Sequence, residues 1–232
     1  YAGAALSALF NVYAFEHLSM EHEIALALPQ NARKALLQWL NHLPHTQYER
    51  STRLLNVYLD TPEHDLKRLK AGLRLRFDTE RSCWIQTLKT AGALVNGIHV
   101  RQEWENVLQQ ATPEAQTIPT LELDAFPDDA RLILEPIIGT LRPAFHTDFT
   151  RTIYQYSHGN NTFELAFDDG LIRFAHDLNG ILTPIHELEI EYKTGDMNIM
   201  RQLASDAQTQ LHATPQIMSK AARGYALSTL PM

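Results

Sequence analysis

Residues 185–193 read Ile185-His186-Glu187-Leu188-Glu189-Ile190-Glu191-Tyr192-Lys193. Side chains of a strand point alternately to its two faces. As a strand, this stretch puts Glu187, Glu189 and Glu191 on one face and Leu188, Ile190 and Tyr192 on the other. One such strand describes an ordinary half-buried sheet with a solvated side. The same split recurs, however. Glu21, Glu23 and Ala25 oppose Ile24, Leu26 and Leu28, and Arg74 and Arg76 oppose Leu73, Leu75 and Phe77. Arg101, Glu103 and Glu105 oppose Ile98, Val100 and Trp104, and Glu164 and Asp168 oppose Phe163, Leu165 and Phe167. If helices cover the apolar faces, the ionic faces are left open to water or facing one another. A closed barrel encloses them and removes its sheet edges. The expectation is a charged tunnel whose hydrophobic core lies outside it.

The rest of the chain fits antiparallel strands with helices attached. Strands are expected at 20–28, 47–60, 72–79, 82–89, 97–107, 144–156, 162–168, 171–175 and 185–193. Gly92 and Gly97 bracket the connection into the strand at 97–107. Helices are expected from Pro29 to His42, in a short turn from Asp60-Thr61-Pro62 to Lys70, from Gly195-Asp196 to His212, and from Met218 to Leu227. Residues 112–142, with Pro113, Pro119, Pro127 and Pro136, read as an insertion of short helices such as Asp128–Leu134. Residues 1–19 are apolar, Ala-rich and free of Lys and Arg, so they lack the basic start of a signal peptide. They read as an N-terminal extension, added or upstream, before a domain at 20–228.

Composition bounds the function. The 232 residues carry 20 Lys+Arg against 27 Asp+Glu, a net charge of −7. That balance argues against a protein built to grip nucleic acid or an anionic membrane. One cysteine, Cys83, excludes an intramolecular disulfide and a multi-cysteine zinc site. A cytoplasmic domain is the expectation, with a homodimer guessed from frequency alone. The charged faces hold both signs. Enclosed charges need partners. Excess carboxylates suit hard divalent cations, Mg²⁺ or Mn²⁺. Arginines suit phosphate oxygens because the guanidinium is a bidentate fork. Together they are equipment for phosphoryl chemistry on a polyanion.

Seven segments in order then resemble the CYTH family, the triphosphate tunnel metalloenzymes, over residues 20–228. They are Glu21-His22-Glu23-Ile24-Ala25; Leu73-Arg74-Leu75-Arg76; Trp84-Ile85-Gln86-Thr87-Leu88-Lys89; Arg101-Gln102-Glu103-Trp104-Glu105; the strand from Glu164 to Asp168; Glu187-Leu188-Glu189-Ile190-Glu191; and Ser219-Lys220-Ala221-Ala222-Arg223-Gly224-Tyr225. The phrasing is nearest the bacterial inorganic triphosphatase branch. The chain stops before the C-terminal histidine-rich helical domain that some members carry. The resemblance implies an α+β fold, an eight-stranded antiparallel β-barrel with helices packed outside, binding a linear triphosphate. It implies metal at Glu21, Glu23, Glu187 and Glu189, with Glu191 and Asp168 as further acids. It implies phosphate binding by Arg74, Arg76, Lys89, Arg101, Arg151, Lys220 and Arg223. Glu103, Glu105, Glu164 and Asp168 match tunnel acids that orient bases, metal or water.

The family signature opens Glu-x-Glu-x-Lys, and here the lysine position is Ala25. A shift by two residues would lose a glutamate as well as the lysine. The alanine, natural or engineered as a trap for substrate, removes a cation and a group that helps deprotonate the attacking water. Lys89 and Lys220, with Glu103 and Glu105, are the remaining catalytic candidates. ATP cyclisation, thiamine triphosphate hydrolysis and a non-catalytic triphosphate-binding module are the alternatives. His42 and His45 straddle Pro44 at a helix end, and Cys83 reads as a packed small residue. Alternation points His22 away from Glu21 and Glu23. Trp39, Trp84 and Trp104 read as packing residues. The sequence has no GxxxxGK[ST] loop, no GxGxxG after a strand and no GxSxG elbow.

Overall fold

The computed structural model describes residues 19–109, 111, 114, 117–174 and 182–227. The extension at 1–18, Pro113 and residue 175 lie outside the described residues. Ten strands are present: β1 (Ser19–Ala27), β2 (Thr46–Asp60), β3 (Gly72–Asp78), β4 (Cys83–Lys89), β5 (Ala93–Val95), β6 (Ile98–Val107), β7 (Arg142–His158), β8 (Asn161–Phe174), β9 (Leu182–Thr194) and β10 (Thr214–Pro215). Five α-helices accompany them: α1 (Arg33–His42), α2 (Asp65–Arg68), α3 (Asp128–Leu134), α4 (Met197–Leu211) and α5 (Lys220–Leu227). Among the described residues no helix is long and apolar enough to cross a membrane.

Eight strands run in the order β1-β9-β8-β7-β2-β3-β4-β6, and β6 pairs back onto β1. Every pairing is antiparallel, so the sheet closes into the eight-stranded barrel. The short β5 and β10 lie on its rim, pairing β6 and β1. Neither announced itself in the sequence, because two or three residues carry no period. The stretches expected as separate strands at 162–168 and 171–175 are one strand, β8. Gly170 sits in its middle, where an added Cβ would lie 2.2 Å from the Asp148 carbonyl oxygen. The glycine thus marks a close approach of β7 and not a break.

The alternation does what the sequence predicts. Leu36 and Leu40 of α1 and Met200, Leu203, Ala207 and Leu211 of α4 cover Ile24, Leu26, Phe163, Phe167, Leu188 and Ile190 outside the barrel. Leu66 of α2 and Ala130 and Leu134 of α3 cover Leu73, Leu75, Trp84, Leu88 and Trp104. His22 lies on this outer side, its ring edge-on to Tyr192. One expectation needs correction. The core does not lie wholly outside. Leu54, Tyr58, Phe145, Phe149, Ile172 and Ile185 point inward and pack with Tyr225 of α5. The helix seats so closely that a Cβ on Gly224 would fall 2.3 Å from the Phe145 ring. An apolar layer therefore closes part of the barrel and fixes α5 against its interior.

Candidate active site

The register sets the charged groups side by side. Glu21 faces Arg101 across β1–β6, Glu23 faces Glu191 across β1–β9, and Ala25 faces Glu189. Glu187 faces Asp168, which faces Arg151. On the opposite wall Arg74 lies beside Tyr58 and Thr87, and Arg76 beside Asn56. These walls enclose a cavity of about 570 Å³. Its lining includes Glu21, Glu23, Glu187, Glu189 and Glu191 on the acidic side, with Arg74, Arg76, Lys89, Arg101, Arg151 and Lys220 among the cations.

Five of the sequence candidates do not line it. Glu103 and Glu105 stand beside the basic wall on β6, where Glu103 pairs with Lys89 at 3.2 Å and Glu105 with Arg74 at 3.5 Å. Asp168 is fully buried beneath Arg151 and Lys220, 2.7 Å from each. Arg223 is turned to Glu187 and to the Pro184 carbonyl. Glu164 acts on Arg151 and Glu191 electrostatically from the next strand. Lys67 and Lys70 line the mouth and were missed, because α2 is too short to show a charged face.

Most cations inside are already matched. Lys89 and Arg101 each lie 2.7 Å from Glu21. Burial alone would raise the Glu21 carboxyl, but these two cations hold it far below the usual range. Burial opposes charge on Lys89 too, and Glu103 and Glu21 overcome it, so the ammonium stays protonated. Lys220 is held protonated in the same way by Asp168, Glu187 and Glu189. Both lysines therefore offer charge at neutral pH and not a base.

Arg76 is the exception. It is buried, its Nε donates to Asn56 Oδ1 at 2.8 Å, and it joins no ion pair among the described residues. Burial, then Arg74 and Arg151, push it down to about 10. The neighbouring Arg74 has Nε buried without a hydrogen-bond partner, and its carboxylate contacts are long, at 3.5 and 3.7 Å. A site that stacks guanidinium groups without matching carboxylates is built for a polyanion.

The acidic wall has the opposite imbalance. Burial, Glu189 and Glu21 push Glu23 up to about 8 against the pull of Arg101, its one ion-pair partner among the described residues at 3.5 Å, and of Lys89. Burial also raises Glu191 across the ladder. Glu23 is a hard oxygen donor short of positive charge, whereas Glu189 is paired with Lys220 and Arg151 and Glu191 with Lys193 at 2.6 Å, so a hard divalent cation here would share these carboxylates with cations already beside them. Oxygens of Asp168, Glu187 and Glu189 also lie within 4.8 Å of one another. There the Lys220 ammonium already sits, 2.5 Å from Glu189 and in contact with Glu187. Ala25 leaves open space opposite Glu189 where the signature has a lysine.

Comparisons with known proteins agree with this geometry. An inorganic triphosphatase of Haemophilus influenzae is 30% identical over 214 residues, 91% of this chain and 54% of that protein. The chain thus spans about half the length of that curated relative. The Hippeastrum protein HpAC1, an adenylyl cyclase candidate described as having a dominant triphosphatase activity, superposes with a TM-score of 0.63 at 21% identity, over 91% of this chain and 98% of its own. An adenylate cyclase candidate from Bacillus halodurans gives 0.58 at 18% identity, over 88% and 97%. The CYTH domain model matches residues 19–225. On that match, and on the closed barrel with its two charged walls, the chain belongs to the CYTH domain family.

Proposed function

We propose that the chain hydrolyses inorganic triphosphate to pyrophosphate and orthophosphate, with Mg²⁺ or Mn²⁺ at the acidic wall. The observation that carries this is the buried Arg76 guanidinium, which joins no ion pair among the described residues and is pushed down by Arg74 and Arg151. The name of the Haemophilus relative gives the substrate. A divalent cation held by Glu23, Glu189 and Glu191 would neutralise phosphate charge and activate water. The chain's own residues do the rest. Arg74, Arg76 and Arg151 bind and orient the phosphoryl groups, and Lys89, Arg101 and Lys220 add positive charge where negative charge develops. Glu103, Glu105 and Asp168 position those cations as their ion-pair partners. A cytoplasmic location goes with this reading.

Orthophosphate release from triphosphate is expected in Mg²⁺ or Mn²⁺ and is expected to vanish in chelator. Full activity in chelator refutes the reading. ATP and thiamine triphosphate in the same panel test the other substrates, with cyclic AMP as the sign of cyclisation. Ala25 favours a second reading, a triphosphate-binding module with negligible turnover. Ala25→Lys decides between them. A gain of about 10²-fold or more, the scale of a restored acid–base group, marks a crippled enzyme. High turnover without it removes the module reading.

The acidic wall makes a pH prediction. Glu23, raised to about 8, carries a proton below that pH, and an incoming cation must displace it. Divalent-cation affinity is expected to strengthen about tenfold per pH unit as pH rises towards 8, then level off. Calorimetric titration across pH reads this, and Glu23→Gln should flatten the profile. A flat profile in the unsubstituted chain contradicts the assignment.

A further inference from the structure

We propose that the slot where β1 changes partners, on the side of the barrel covered by α4, is a second ligand site that takes a small organic carboxylate with a short apolar body. It lies outside the tunnel and does not depend on the triphosphatase reading. Along one edge of β1, β6 pairs as far as Glu23, and β10 begins only at Leu26. Ile24 and Ala25 fall between the two ladders, and a cavity of about 240 Å³ opens there. The β5–β6 hairpin borders it with Leu94 and Asn96, and the chain at and after β10 borders it with Pro215 and Ile217. Ile24 and Leu26 are its buried floor, and α4 brings Arg201, Ala204 and Gln208 to it.

Each border of the slot is fixed by its own backbone. Asn96 and Gly97 have φ of 51° and 81°. Positive φ at both central residues is the two-residue hairpin turn that suits strand twist, and it holds the short β5 on β6. Across the slot the Gln216 N–H donates to the Ala25 carbonyl at 2.8 Å, and the Gln216 carbonyl accepts from the His99 ring Nε2 at 3.2 Å. Ala25, His99 and Gln216 border both this slot and the tunnel cavity, so these contacts form the partition between the two. On α4, Arg201, Ala204 and Gln208 follow at spacings of three and four and share one helix face.

The chemistry of the lining selects the ligand. The chain carries a net charge of −7, yet this lining holds one arginine and neither Asp nor Glu. Arg201 joins no ion pair among the described residues. Its Nη1 donates to Asn198 Oδ1 at 2.9 Å, and its Nε is buried without a hydrogen-bond partner. A guanidinium with donors to spare suits a carboxylate. A polyphosphate needs several cations, and an amine would meet Arg201 with like charge. The floor is apolar, and Leu94 and Ile217 stand exposed at the lips, so the rest of the ligand is hydrocarbon. Pockets for drug-sized ligands start at about 300 Å³. The smaller slot limits that hydrocarbon to a short chain.

The test uses the full chain in chelator, with hexanoate as probe and hexanol as its uncharged counterpart. Binding is read from backbone amide shifts in NMR titrations. Hexanoate is expected to saturate and to move the amides of Leu94, Asn96, Arg201, Gln208 and Ile217. It should bind at least tenfold more tightly than hexanol, the scale of one charge-assisted contact. Arg201→Met should remove that preference. Ile217→Asp, at a position 69% exposed and so without a fold to lose, should weaken hexanoate at least tenfold by setting a like charge at the lip. Saturating triphosphate, which occupies the tunnel cations, should leave the slot shifts in place. Equal affinity for hexanol, no saturable shift, or either variant binding like the parent overturns the site. So does displacement by triphosphate with the shifts at Arg74, Arg76 and Arg151, which would place hexanoate in the tunnel.

Discussion

Replacing Arg76 by methionine is expected to lower triphosphate affinity about 10²–10³-fold while leaving the fold intact. The guanidinium is buried with Asn56 as its hydrogen-bond partner, and it joins no ion pair among the described residues. The empty protein therefore bears the cost of a buried charge, as its depression to about 10 reflects. A bound polyanion reverses that balance. Truncating one partner of a buried, hydrogen-bonded charge pair costs about 3–4 kcal/mol, which is the stated range in affinity. For folding the terms oppose. Methionine relieves the buried charge, while Asn56 loses one donor at a cost of about 1 kcal/mol. The melting temperature should hold within about 3 °C or rise. Calorimetric titration with triphosphate and thermal melting read the two effects. A large loss of stability with affinity unchanged would show that Arg76 serves the fold and not the ligand.

Lys220→Met is expected to act the other way, on stability first. The ammonium lies 2.7 Å from Asp168 and 2.5 Å from Glu189, and it also touches Glu187. All three carboxylates are removed from bulk water, Asp168 completely. Without Lys220 their remaining ion-pair partners among the described residues are Arg151 and Arg223. Stripping one partner from a buried ionic cluster costs about 3–5 kcal/mol. For a chain of this size that is a fall of about 10 °C in melting temperature. Mg²⁺ or Mn²⁺ should restore much of it, because the carboxylate oxygens lie within 4.8 Å of one another. The unsubstituted chain, with its own cation seated there, should gain less from the same metal at this cluster. Melting curves with and without metal test both statements. A variant that melts like the parent, or ignores divalent cations, would mean that Lys220 is not the counter-ion of this cluster.

Strand parity was the legible part of the sequence. The run Glu187-Leu188-Glu189-Ile190-Glu191 has one reading as a strand, and a residue cannot change face without shifting the whole register. The ionic face and the apolar face follow from five such runs; the closed barrel is one of the two arrangements they allow, and the β1–β6 pairing is what closes it. What parity does not carry is depth. Phe145, Phe149 and Ile185 share the inner face with Arg151 and Glu187, and only the packing of α5 shows that they close one part of the interior. Gly170 reads as a break in sequence and proves to be a contact in space.

Charge shows the same division. The sequence alone determined a net charge of −7, and strand parity with the family resemblance proposed seven basic and nine acidic groups for the interior. Tertiary structure decided which of them meet the substrate space. Glu103, Glu105, Glu164 and Asp168 fall outside the cavity lining, Arg223 turns to Glu187, and Lys67 and Lys70 come in from a short helix and the turn after it. The cavity lining then holds eight Lys and Arg against five Glu among the described residues. The physical reason is that facing inward is a local property of the backbone, read two residues at a time. Reaching the cavity depends on which neighbour on another strand stands in front, and no pattern within one segment encodes that.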